Sequence, residues 1–108
     1  EALAMLLSKN PRRILAYSGA VAMRKSFSGL IAVTRQVLEE DALSGDAYLF
    51  FNRTKTILKM LWWDRTGWCV FAKRIERGTF ELRSRDAKQS LSEKELGLLL
   101  DGVFRRRK

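Results

Sequence analysis

Three carboxylates, Asp46, Asp64 and Glu76, come nearest to a reaction centre in this chain, since a two-metal nuclease needs about three convergent acids. Backbone geometry explains two of them instead. Asp64-Arg65-Thr66-Gly67 and Ile75-Glu76-Arg77-Gly78-Thr79 have the composition of hairpin turns, in which Asp bonds nearby amides and Gly supplies a left-handed residue. Nucleophilic catalysis lacks its usual base, because the chain has no histidine. Cys69 is the only cysteine. It can close no intrachain disulfide, has no Cys/His set for zinc, and is expected to be an inert strand thiol. Neither a Gly-Lys-Ser/Thr phosphate loop nor a dinucleotide fingerprint is present. The sequence predicts no enzyme, no metal and no cofactor.

What remains is positive charge beside aromatic rings. The 108 residues carry 21 Lys and Arg against 12 Asp and Glu, a net charge of +9. Five cations and no acid fall in residues 9–25, six cations and one acid in 48–74, and four cations in 105–108, whereas Glu39, Glu40, Asp41 and Asp46 form an acidic stretch. Such clusters predict a polyanionic partner, DNA, bound mainly through its phosphates. Arg24, Lys25, Arg53, Lys59, Lys73 and Arg74 are the expected phosphate contacts, and Trp63 and Phe71 are available to stack or pack. No apolar run approaches the ~20 residues that cross a bilayer. No membrane association is expected, and a lone thiol suits a reducing cytoplasm. The chain opens on Glu1 and shows no signal peptide, which suits a trimmed sequence.

The elements that would position these residues follow from apolar spacing. Met23, Phe27, Leu30, Ile31, Thr34 and Leu38 keep the three-and-four spacing of an amphipathic helix over residues 23–40. Arg24 and Lys25 would lie in its first turn, where a bound phosphate would offset the unfavourable dipole. Residues 12–17 suggest a short strand. If both turns close as three-residue loops, Asp64 pairs with Trp68 and Ile75 with Thr79. Leu58, Met60, Trp62, Val70, Ala72, Phe80 and Leu82 then share a core face. Lys59, Leu61, Trp63, Phe71, Lys73, Glu81 and Arg83 share the other, with Lys59 opposite Lys73. That second face is the expected binding platform. Residues 88–92 make a polar connector, and Ser92-Glu93-Lys94-Glu95 is a capping box opening a second helix that Gly102 ends.

Three segments carry a resemblance: Met23-Arg24-Lys25-Ser26-Phe27-Ser28-Gly29-Leu30, then residues 43–53, then Lys59-Met60-Leu61-Trp62-Trp63-Asp64-Arg65-Thr66-Gly67-Trp68-Cys69-Val70-Phe71-Ala72-Lys73-Arg74 with Gly78 beyond. Over residues 12–103 the chain resembles the TnpB-type accessory proteins of the bacterial insertion sequence sixty-six family. Met23, Arg24, Lys25, Arg53, Lys59, Trp63, Asp64, Gly67, Lys73, Arg74 and Gly78 match the family's basic and aromatic motifs. The resemblance implies a small protein encoded beside a separate transposase and assisting transposition. The chain departs from the family pattern at Ser26, Ser28 and Lys55-Thr56-Ile57.

The expected architecture is one α+β domain over residues 12–104: an antiparallel meander of about four or five strands, with one face packed against two helices. A helix or arm over 1–11 precedes it, and a basic tail over 105–108 follows. Two functions are expected from it. One is a DNA-associated transposition accessory factor; the other is a protein-interaction module that binds the transposase or a second copy of itself through exposed aromatics or the Leu96, Leu99, Leu100 and Val103 stripe.

Overall fold

β2 (Ala47–Phe51) is apolar at all five positions, and all five are buried. A strand of this kind needs cover on both faces. In the computed structural model, which describes residues 13–103, β2 is central in a five-stranded sheet. The expected arm over 1–11 and tail over 105–108 lie outside the described residues.

The other strands are β1 (Ile14–Ala20), β3 (Ile57–Trp63), β4 (Trp68–Arg74) and β5 (Lys88–Leu91), in the order β4-β3-β2-β1-β5. β2, β3 and β4 form the expected antiparallel meander. β1 runs parallel to β2, because the chain crosses between them through helix α1 (Phe27–Gln36), the connection that parallel strands require. β5 closes the far edge antiparallel to β1, and α2 (Glu93–Asp101) follows it. The α+β class and the five strands agree with the sequence.

The helices cover opposite faces, not one as expected. Leu30 and Leu38 pack with Leu15, Tyr48, Phe50 and Leu61 on one side. Leu96, Leu99 and Leu100 pack with Leu49, Phe51, Leu58, Met60 and Trp62 on the other. Each such side chain contributes about 1.5–3 kcal/mol on full burial. α1 begins later than the spacing predicts because Ser26 is its N-cap, so Arg24 and Lys25 precede the helix instead of lying in its first turn. The α2 boundaries follow the sequence closely: Ser92 Oγ accepts from Glu95 N, Glu95 Oε1 accepts from Ser92 N, and Gly102 ends the helix at φ 73°.

Three strand expectations need correction. Asp64 N donates to Gly67 O, so the β3–β4 loop has two residues, and its left-handed residue is Arg65 (φ 81°), not Gly67. Positive φ at the first loop residue alone is the type II′ pattern. The shorter loop moves the register by one, so Lys59 faces Ala72 and Leu58 faces Lys73. Lys59 and Lys73 are thus on opposite faces of the sheet. Beyond Gly78 the chain leaves the sheet, with Phe80 N donating to Lys55 O and the Phe80 ring in the core. No strand forms over 80–83. Residues 88–91, expected as a connector, form β5, which has little apolar alternation to announce it.

Ion pairs tie the two ends of this arrangement. The Arg13 guanidinium donates twice to buried Asp46, at 2.9 and 3.0 Å, and once to Glu40 at 2.6 Å. Lys88 donates to the other Glu40 oxygen at 2.5 Å. Hydrogen bonds from Lys88 and then Arg13 hold the Glu40 carboxyl below the usual glutamate range. A depressed carboxyl stabilises the fold above its unfolded pKa and loses that effect as pH falls through the folded value. Glu40→Gln should therefore lower stability at pH 7 by about 1 kcal/mol, discounted for the exposure of Arg13 and Lys88. Urea unfolding at several pH values should show the difference from wild type shrinking as pH falls below about 4.3. A difference independent of pH would contradict this role.

Candidate nucleic-acid interface

The eight residues expected to bind DNA fall into three environments. Lys59 and Lys73 act as clamps on helix ends. Lys59 Nζ donates to Met23 O at 2.7 Å and Lys25 O at 2.8 Å, pinning the approach to α1 against β3. Lys73 Nζ donates to Leu100 O at 2.7 Å. That carbonyl lies in the last turn of α2, where backbone acceptors lack helical partners and a cation suits the dipole.

Trp63 and Phe71 are half-buried on opposite faces. Phe71 packs against the core beneath α2. Trp63 lies opposite Trp68 across the hairpin, with ring centroids 5.0 Å apart and planes tilted by 58°. Trp62 is core, as expected. Arg74 is exposed and pairs with exposed Glu76 at 3.1 Å, a geometry that contributes little. Asp64 is a turn-former as read from the sequence: its Oδ1 accepts from Thr66 N and Gly67 N. These bonds hold its carboxyl below the usual range, the Thr66 amide contributing most.

Arg53 shares a cavity with the segment that leads into Arg24 and Lys25. Ala20, the last residue of β1, aligns with Phe51, the last of β2, and Val21 N donates to Phe51 O at 2.9 Å. The segments leaving these parallel strands therefore emerge side by side. Residues 20–23 and 52–54 line a shallow cavity of about 380 Å³. All three cations are exposed, and none of their side chains has a hydrogen bond or ion pair among the described residues. Asn52 shapes the neighbouring loop, its Oδ1 accepting from Thr56 N and Ile57 N. α1 begins two residues after Lys25, past the N-cap Ser26, with no acid in its first turn and no side-chain bond from its N-cap. Free guanidinium and ammonium groups beside unpaired helix amides can bind phosphate oxygens. The sequence reading passed over Lys55 and Arg85, which line a cavity on the other side of the same loop. Lys55 and Arg85 stand thirty positions apart, with no sequence signal that would join them.

The sequence profile of the IS66 Orf2-like proteins matches residues 12–108. The chain belongs to this family. IS66 Orf2-like proteins are transposition accessory proteins and not a known catalytic family. Among similar proteins of Sinorhizobium fredii, one described as uncharacterized protein y4hO is 33% identical over 100 residues, covering 92% of this chain and 87% of its own. Another, uncharacterized protein y4jC, is 28% identical over 92 residues, covering 84% and 79%. No solved structure matches. Among the described residues no His, Cys, Asp and Glu grouping could hold a metal ion, and no helix is long and apolar enough to cross a membrane.

The clamp role is testable directly. Lys73→Met keeps the aliphatic stem and removes the donor to Leu100 O, so it should destabilise the domain by about 1 kcal/mol in urea unfolding. An unchanged midpoint would show that the ammonium does not hold the helix end.

Proposed function

We propose that this IS66 Orf2-like protein is a non-enzymatic accessory factor that binds DNA phosphates through Arg24, Lys25 and Arg53. The supporting observation is that Arg53 lines a cavity at the ends of the parallel strands whose opposite wall, residues 20–23, runs directly into Arg24 and Lys25, and that none of the three side chains has a hydrogen bond or ion pair among the described residues. The other five expected residues contribute less to this reading. Lys59 and Lys73 already donate to carbonyls, Arg74 has Glu76, and Trp63 and Phe71 are half-buried. Phosphate contact without base stacking makes the binding insensitive to sequence and strongly dependent on salt. The cytoplasm is the compartment that this reading requires.

A second reading has its own observation. Leu82, Leu91, Leu98, Leu99 and Val103 line a groove of about 690 Å³ beside β5 and α2, and Leu98 is 64% exposed. The stripe as a whole is core, since Leu96, Leu99 and Leu100 are buried. The exposed remainder suits contact with the element's transposase or a second copy.

The two readings separate by mutation. With a labelled duplex, the variant carrying Arg24→Glu, Lys25→Glu and Arg53→Glu should bind far more weakly than wild type, and its log–log salt slope should fall by about three. Leu98→Asp should leave that binding intact and weaken only salt-insensitive co-purification with the transposase, or a dimer seen by light scattering. Absence of DNA binding by wild type at low salt would leave only the second reading.

A further inference from the structure

The β2–β3 loop, residues 52–56, separates two cavities. One is lined by Arg53; the other, also about 380 Å³, is lined by Ser18, Lys55, Phe80, Glu81, Ser84 and Arg85 among others. Lys55 is left-handed, with φ 60°. Its Nζ donates to Ser18 O at 2.5 Å and lies 4.9 Å from the centroid of the Phe51 ring. Burial alone lowers the ammonium pKa, with no carboxylate contributing.

A carbonyl dipole and a ring face orient this cation without cancelling its charge. An ammonium has three protons to donate, and Ser18 O is the one hydrogen-bond acceptor it meets among the described residues. A partly desolvated cation at the wall of an open cavity is stabilised when an anion enters. Arg85 lines the same cavity, is exposed, and has no hydrogen bond or ion pair among the described residues. Glu81 is the carboxylate on this wall; its Oε2 accepts from Thr79 Oγ1 at 3.4 Å. Ser84 Oγ accepts from Asp86 N, leaving its proton able to donate.

From this geometry we infer that Lys55 and Arg85 hold a second backbone phosphate of the same DNA, so that the β2–β3 loop stands between two phosphate-binding points. The inference rests on the DNA reading above and extends it from one cavity to two. A guanidinium and an ammonium beside a hydroxyl supply the charge-assisted donors that a phosphodiester accepts.

The test uses the full chain and a fluorescent duplex, titrated by anisotropy over a salt series. Arg85→Glu should weaken binding by about fivefold or more and lower the salt slope by about one, and Lys55→Met should lower the slope similarly. Arg35→Glu, an exposed site in the last turn of α1, controls for net charge and should keep the wild-type slope. If Lys55→Met fails to fold, Arg85→Glu carries the test, since its side chain holds nothing together. Arg85→Glu behaving like Arg35→Glu overturns the second point. If that happens while the Arg24, Lys25 and Arg53 variant still loses binding, the DNA reading stands and this extension alone falls. If wild type binds no duplex at low salt, both fall.

Discussion

The constraint on which this structure depends is the burial of β2 on both faces. Tyr48 and Phe50 point to one side and Leu49 and Phe51 to the other, all fully buried. A central strand that is apolar on both faces cannot present a pleated surface to water, because each exposed face would lose the transfer free energy of several large side chains. Cover must come from both sides, and α1 and α2 provide it. The lysines and rings expected on one open platform are divided by the β3–β4 register, Lys59 and Trp63 on one face and Phe71 and Lys73 on the other. Cations without a described partner are left at the ends of the strands, where loops leave the layered core.

That arrangement sorts the cations by the geometry of their surroundings. Lys59 and Lys73 lie where a helix begins or ends and meet carbonyls that need donors. Arg13 and Lys88 meet Asp46 and Glu40, so much of the acidic stretch is consumed inside the molecule. Arg24, Lys25, Arg53 and Arg85 meet no described partner at the sheet's end. The overall excess says less about the fold itself: 15 Lys and Arg face 11 Asp and Glu within residues 13–103, and the rest of the excess lies outside them. Position, more than net charge, separates structural cations from those free to bind.

Much of this was legible in the sequence. The capping box at Ser92 and the glycine at 102 marked α2 because each rule acts over one turn of helix. The family resemblance, carried by residues 23–30, 43–53 and 59–74, is borne out by the profile match over 12–108. What failed depended on a single residue or on distant partners. Arg65 takes the left-handed position that glycine usually takes, and this one choice exchanges the faces of Val70, Phe71, Ala72 and Lys73. β5 is stabilised by pairing with β1, more than seventy residues earlier, and by Gln89 donating to Ser84 O and Asp86 O. Nothing in its own four residues requires a strand. The meeting of residues 20–23 with 52–54 likewise follows from the parallel pairing of β1 and β2, which local patterns do not encode.

The order of elements also bears on how the domain is made. α1 lies between the first two strands and can cover its face as soon as the meander forms. α2 comes after every strand, so Leu49, Met60 and Trp62 have no lid until Leu96, Leu99 and Leu100 have left the ribosome. From the emergence of β3 to that of α2 the nascent chain therefore carries one oily sheet surface still waiting to be sealed.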